Sequence, residues 1–296
     1  MTERTSVALG SFDGLHRGHL AVLQSALSFA DDGLLPFVLL FDRHPLSVLR
    51  GTAPPSLLEP AQRDRLLSDM GVQTKVIRFE DIRDMEPARF VRDVLCDAMH
   101  AGAVSCGYNY RFGKNSAGDA QMLRALCETY GIQVHICAPV CVGNEPVSST
   151  RIREKLAEGD VDAAQVMLSR PFSFSGTVVH GNANGRLWGY PTANMAYPPS
   201  LAVPRYGVYA SDAALGGKTY RAITNVGVRP TLQGTTLGTE THIPGMERDL
   251  YGETLTVSLR RFIRPEQKFD ALEDVFRQVR QDIRTAYPNI QNGESV

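Results

Sequence analysis

Cysteine is scarce and unpatterned in this chain of 296 residues: five in all, Cys96, Cys106, Cys127, Cys137 and Cys141, with no CxxC pair. An odd count without such a pair excludes a disulfide-stapled scaffold. Cys137 and Cys141 have no histidine or further cysteine at zinc-ligand spacing, so all five are expected to be reduced packing residues. Long apolar runs are also missing. The longest, Leu34 to Phe41, is of strand length and carries Pro36, far short of the roughly 18–20 residues of a membrane span. Neither charge sign dominates: 31 basic against 32 acidic residues give a net charge of -1, which removes any whole-protein electrostatic case for nucleic acid or anionic membrane. The opening MTERTSVALG lacks the basic-then-apolar layout of a secretory signal, so a cytoplasmic protein is expected. There is one tryptophan, Trp188, and no internal repeat or low-complexity tract.

With 43% hydrophobic residues, the chain can bury a sizeable core, and its length predicts two domains. In the first half, strand patterns at Val7–Phe12, Phe37–Phe41, Lys75–Phe79, Val104–Gly107 and Gln133–Ala138 alternate with helical patterns at 19–31, 60–69, 87–100 and 117–130. Pro87 suits the first turn of its helix and Gly131 the stop of the last. Such alternation predicts βαβ units and a mostly parallel, Rossmann-like sheet with ligands at the carboxyl ends of its strands. The pattern changes near Pro171. Alternating runs at Phe172–His180, Tyr206–Ala210, Thr219–Val226 and Leu255–Phe262, separated by Gly/Pro/Asn turns, predict an antiparallel barrel or sandwich. A terminal helix is expected from about Asp270, with Asp270 and Glu273 as a capping box and Asn289–Val296 as a frayed tail. The expected domains are 1–170 and 171–296.

Four segments fall on the ligand edge of the first sheet: GSFDGLHRGH (Gly10–His19), FDRHP (Phe41–Pro45), GYNYRFGKNSAGD (Gly107–Asp119) and VSSTRIR (Val147–Arg153). The first is strand, glycine turn and helix start, with His16 and His19 three residues apart on one helix face. A helix N-terminus offers unpaired N–H groups and partial positive charge, so both imidazoles can reach one phosphate there. Without the strand and glycines, the pair would read as two surface histidines. Ser148, Ser149 and Thr150 can cap a second helix, with Arg151 and Arg153 beside its free N–H groups. Alone, that segment would read as a cap with solvated arginines. Two such starts in one domain favour a nucleoside triphosphate site.

Together these segments resemble the N-terminal half of bacterial bifunctional riboflavin kinase/FAD synthetases. GTVVHGNANGRLWGYPTANM, GVYA, NVGVRPT, Glu240–Ile243, DLYG and FIRPEQKF resemble their flavokinase module, and the likeness spans essentially the whole chain in order. HxGH alone is shared by many nucleotidyltransferases; PTAN with NVGVRPT and DLYG is far more specific. The resemblance implies that His16 and His19 contact ATP phosphates and steady charge on the α-phosphorus. It places Asn109 near the reacting phosphates, Ser149, Thr150, Arg151 and Arg153 in a second phosphate segment, and Phe12, Asp13 and Gly14 along the first turn. In the second half it implies Thr192 and Asn194 on Mg²⁺ and ATP phosphate. Glu240 would be the base toward the ribityl 5′-hydroxyl of riboflavin. The run Gly181–Gly189, including Gly185 and Arg186, would be a flap over the nucleotide. The implied substrates are riboflavin, FMN and ATP, with no nucleic-acid partner and no membrane.

The chain departs from the family pattern in three places: Arg43 stands in place of proline, Trp188 in place of an aliphatic residue, and Pro244-Gly245-Met246 in the loop before Asp249. Competing readings are an HxGH transferase acting on a cytidylyl- or pantetheine-type acceptor, an enzyme active only as a riboflavin kinase, and a non-catalytic flavin sensor. The flavokinase module argues against the first. A sensor has no need of His16, His19, Thr192 and Glu240, all of which are present.

Overall fold

The computed structural model of the chain describes residues 3–180, 191–231, 234–246, 248–269 and 271–288, with backbone alone at 229–231, 234, 235 and 272. It divides into two compact units, Met1–Ser149 and Thr150–Val296.

In the first unit, β1 (Thr5–Leu9), β2 (Leu35–Phe41), β3 (Gln73–Ile77), β4 (Ala101–Gly107) and β5 (Gln133–Cys137) form a parallel sheet in the order β3-β2-β1-β4-β5. Helices α1 (Arg17–Ser28) and α2 (Pro60–Asp69) put Leu23, Ala26 and Leu67 against Ala8, Val38 and Leu40 on one face. On the other face, α3 (Ala120–Glu128) and a helical stretch, Pro87–Arg89 continuing as a π-helix over Phe90–Ala98, put Leu123, Phe90 and Leu95 against Val7, Leu9 and Val104. Helices on both faces explain why β1 is buried along its whole length and reads as a continuous apolar run. The strand order reverses between β1 and β4, so the carboxyl ends of those two strands flank the crevice where doubly wound sheets bind ligands.

Strand β1 stops at Leu9 rather than running to Phe12. Phe12, Gly14 and Leu15 take left-handed φ values of 50°, 80° and 42°, which no extended ladder can accommodate. Pro87 does open its helix, and Gly131, with φ of 64°, follows α3 and its cap residue Thr129. All five cysteines are free, but the packing expectation fails at Cys141, which is exposed on a short ribbon pairing Cys141–Val142 with Glu145–Pro146. The thiols of Cys106 and Cys127 are pushed up to about 12 by burial.

Helix α4 (Ser149–Glu158) begins at the last residue of the first unit, and α5 (Val161–Leu168) follows. Beyond them, β6 (Ser173–Thr177), β7 (Thr192–Ala196), β8 (Gly207–Leu215), β9 (Lys218–Thr231), β10 (Gly234–His242) and β11 (Thr254–Arg264) form an antiparallel sheet ordered β6-β11-β8-β9-β10-β7. The Val179 amide, just past β6, donates to the Asn194 carbonyl of β7 at 2.8 Å, so the sheet nearly closes into a barrel. Tyr209, Val226, Leu255, Val257 and Leu259 are fully buried. The same strand faces carry a hydroxyl chain, Ser211 to Thr224 at 2.8 Å and Thr224 to Thr241 at 3.0 Å.

The opposite face of β8 and β9 is covered by α6 (Leu272–Ala286), through Val208, Ile223 and Ile283. Arg264 fastens this helix by donating to buried Asp282 at 2.8 Å, and the Tyr287 hydroxyl donates to the Ser211 carbonyl at 2.6 Å. Ala271, which has no capping side chain, holds the N-cap position of α6. The expected cap Asp270 and the tail Asn289–Val296 lie outside the described residues.

Candidate active sites

The first unit holds a cavity of about 540 Å³ at the topological switch point, lined by the ends of β1 and β4 and by the start of α1. His16 is the N-cap of α1: its Nδ1 accepts the backbone N–H of His19 at 3.3 Å. In the neutral ring that bond puts the proton on Nε2, which is then a donor. The His16 and His19 rings stack with centroids 3.7 Å apart and planes 16° from parallel, and Phe12 lies 5.3 Å beyond His19. Two imidazoles and the opening N–H groups of a helix thus line one wall, a set of donors suited to a polyphosphate.

Gly18 makes this packing possible. A Cβ there would lie 3.1 Å from His16 Cε1 and 3.2 Å from Nδ1. Asn109, after β4, lines the same cavity, with its Oδ1 3.3 Å from where a Gly107 Cβ would stand. Ser149 also lines it and donates its hydroxyl to the Asp13 carbonyl at 3.1 Å. Tyr110 is a further lining residue, its hydroxyl pKa raised by burial.

Phe12, Asp13 and Gly14 form the turn beneath this wall rather than its surface. Phe12 is fully buried, and Asp13 Oδ1 accepts the Leu57 amide at 2.8 Å, tying the turn to the next loop. Thr150, Arg151 and Arg153 lie on α4 in the second unit, Thr150 exposed and both arginines half-buried. Arg43 is solvent-facing and pairs with Asp42 at 3.8 Å and Glu80 at 4.0 Å, while His44 caps the short helix Pro45–Arg50. The departure at Arg43 therefore leaves the His44 cap in place.

In the second unit the residues that the resemblance singles out, Thr192, Asn194 and Glu240, lie in two rows across the outer face of the barrel. One register row runs Val208, Asn225, Glu240, Asn194; the next runs Ala210, Ile223, His242, Thr192. Cross-strand neighbours of this kind hold their Cβ atoms about 5 Å apart, so Thr192, Asn194 and Glu240 share one patch. Asn194 is buried, and its Nδ2 donates to the Thr192 carbonyl at 3.1 Å; Glu240 and Thr192 are half-buried. His242 fixes the start of β7 by donating from Nδ1 to the Pro191 carbonyl at 2.9 Å. Burial pushes its pKa below the ordinary value, and this bond opposes that shift in part. The Pro244-Gly245-Met246 departure forms a turn closed by the Met246 amide on the Ile243 carbonyl at 3.1 Å. Gly181, Gly185, Arg186 and Trp188 lie outside the described residues.

Residues 1–151 match the family model described as FAD synthetase, and residues 168–289 match the one described as riboflavin kinase. The bifunctional riboflavin kinase/FMN adenylyltransferase of Escherichia coli K12 is 34% identical over 285 residues, 95% of this chain and 91% of that protein. The chain belongs to the bifunctional riboflavin kinase/FMN adenylyltransferase family. Its relative of that name in Listeria monocytogenes is 33% identical over 93% of this chain and 89% of the relative. The one in Bacillus subtilis is 29% identical over 98% and 93%. A solved structure titled as a macrolide-efflux protein from Streptococcus pneumoniae superposes with a TM-score of 0.89 at 32% identity, covering 98% of this chain and 96% of that one. Among the described residues no helix is long and apolar enough to cross a membrane.

Gly18, Asn225, His242 and Glu266 were not singled out by sequence as site residues. All four sit inside motifs that were: HxGH, NVGVRPT, the Glu240–Ile243 segment and FIRPEQKF.

Proposed function

We propose that this chain makes FAD in two steps, phosphorylating riboflavin with ATP in residues 171–296 and adenylylating the FMN product with a second ATP in residues 1–170. The observation that carries the reading is the presence in one chain of the histidine-walled cavity and the Thr192–Asn194–Glu240 patch. Both sit on the fold elements that suit their chemistry.

In the kinase step the ribityl 5′-oxygen attacks the γ-phosphorus of ATP, the bond from that phosphorus to the β-bridging oxygen breaks, and ADP leaves. Glu240 takes the hydroxyl proton, which requires a direct hydrogen bond to that hydroxyl. Its place on a half-buried strand face, rather than on a loop, fixes the carboxylate against the polyol. The hydroxyl of Thr192 and the carboxamide of Asn194 are neutral oxygen donors two residues apart on one face, which fits Mg²⁺ shared with nucleotide phosphate. No group of three or more His, Cys, Asp or Glu among the described residues offers an alternative metal cage. When bound there, the ion supplies charge neutralisation between phosphate oxygens. His242, holding Pro191, keeps Thr192 on that face.

In the second step a phosphate oxygen of FMN attacks the α-phosphorus of ATP, and pyrophosphate departs with the bridging electron pair. No covalent enzyme intermediate is needed, because positioning and charge stabilisation do most of the work in such transfers. His16 Nε2–H, the His19 ring and the first amides of α1 face the charge that builds on the α-phosphate. Asn109 and Ser149 line the same wall, and Thr150, Arg151 and Arg153 complete the phosphate-binding segment. Joining both activities in one chain raises the local supply of FMN, and a cytoplasmic location gives access to ATP. Incubating the pure protein with riboflavin, ATP and Mg²⁺ and separating the flavins tests the proposal: FMN and then FAD are expected. FMN without FAD would limit the chain to kinase activity, and neither product would overturn the reading.

A further inference from the structure

Beside Glu240 in the same register row stands Asn225, to which the two-step reading gives no task. Its surroundings are unusually specific. Asn225 Nδ2 donates to Glu266 Oε1 at 3.2 Å. A carboxylate can only accept, so this bond settles which end of the amide is nitrogen and leaves Oδ1 as the other end. Glu266 reaches Asn225 by crossing Gly227, on the same strand face two residues on. A Cβ at Gly227 would collide with the Glu266 carboxylate, so the strand carries glycine where the anchor passes. Oδ1 itself is shielded from water, with no hydrogen-bond donor among the described residues. A buried acceptor in that state is costly, and native structures pair such groups in the state for which they are built.

The remaining atoms of Asn225 keep the residue half-exposed, and the row it belongs to is the one on which the reacting hydroxyl must lie. We propose that Asn225, oriented by Glu266, accepts a hydrogen bond from a second hydroxyl of the ribityl chain and so sets specificity for a polyhydroxylated side chain. The inference rests on the assignment of Glu240 as the base, because that assignment places the polyol along the row. In this scheme Asn225 is a substrate contact and Glu266 a positioning residue. The amide cannot rotate its donor end toward the substrate without giving up the carboxylate, so it presents an acceptor, which a chain of hydroxyls satisfies and a chain of hydrogens leaves unpaired.

The test compares riboflavin with its 2′-, 3′- and 4′-deoxy analogues, each of which keeps the reacting 5′-hydroxyl, in the full-length protein. The native protein should lose about 10- to 100-fold in kcat/KM on one of the three analogues, the scale of a buried acceptor left unpaired. Asn225→Leu should lose a comparable factor on riboflavin and no longer distinguish that analogue from riboflavin. FAD formation from supplied FMN should stay unchanged. Undiminished discrimination in Asn225→Leu, or native kcat/KM on riboflavin, would overturn the proposal. If Asn225→Leu does not fold by circular dichroism, Glu266→Ala decides: weakened discrimination restored by Glu266→Gln supports the proposal, and unweakened discrimination defeats it. Glu240→Gln separates the two layers. Full FMN production in that variant removes the underlying assignment, whereas loss of FMN there with intact discrimination in Asn225→Leu removes only the role of Asn225.

Discussion

Replacing Gly18 by alanine should separate stability from adenylyl transfer. Gly18 is the second residue of α1, and its exchange for alanine in a helix stabilises by up to about 1 kcal/mol. Against this, the new Cβ would stand 3.1–3.2 Å from the His16 ring, tighter than ordinary van der Waals contact, and the ring must move away. The cap bond from the His19 amide to His16 Nδ1 is already 3.3 Å long, so this movement breaks it, at a cost of about 1 kcal/mol for a lost N-cap. The two effects nearly cancel, and the urea midpoint should scarcely change. Catalysis has no such compensation. A donor displaced by up to about 1 Å from a reacting phosphate costs up to about 100-fold in rate. FAD formation from FMN should therefore fall about 10- to 100-fold in Gly18→Ala, while FMN formation from riboflavin, on the barrel, serves as the internal control and stays native. Unimpaired FAD formation in a folded Gly18→Ala protein would refute the role given to the His16 ring.

Two further predictions concern the barrel. The pKa of His242 is lowered in the folded state, by burial. Its contribution to stability is therefore complete above the ordinary histidine value of about 6.5 and is lost as pH falls below it, because protonation then favours the unfolded chain. Urea midpoints should drop between about pH 7.5 and pH 5.5, and His242→Gln, which keeps a donor for Pro191, should show a smaller drop; equal slopes would contradict this. Breaking the Arg264–Asp282 pair, whose acid is 2% exposed, with Arg264→Leu leaves a buried carboxylate unpaired and should destabilise by about 3 kcal/mol. Chemical denaturation followed by far-ultraviolet circular dichroism measures it, and a change under about 1 kcal/mol would show that the pair is not what fastens α6.

The parallel sheet was legible because its central strands β1 and β4 are buried almost along their whole length and its helices repeat apolar residues at helical spacing. The end of β1 was not, since only the left-handed backbone at Phe12 stops it, and apolar Phe12 gives no sign of that. Strand β10 was missed for a different reason. In β10 the inward positions are Thr239 and Thr241, buried at 0% and 1% exposure, and Thr241 belongs to a hydroxyl chain rather than to an apolar stripe. Hydropathy alternation has nothing to detect when threonine fills the barrel interior. Helix α5 did carry a signal: Asp160 caps it through the Ala163 amide at 3.1 Å, and Val161, Ala164, Met167 and Leu168 recur at helical spacing. At the candidate sites, sequence motifs pointed to the groups proposed to react but not to the contacts around them. The Gly18–His16 contact, the His242–Pro191 bond and the Asn225–Glu266 pair each join residues whose proximity is set by fold or local packing rather than by residue type.

Crossed variants test most directly whether two independent sites in one chain act in series. With riboflavin, ATP and Mg²⁺ supplied, His16→Ala should accumulate FMN and make little FAD. Glu240→Gln should leave riboflavin untouched yet still convert added FMN to FAD. If either substitution abolished both conversions in a folded protein, or neither variant changed the flavins formed, the assignment of the two reactions to these two sites would be wrong.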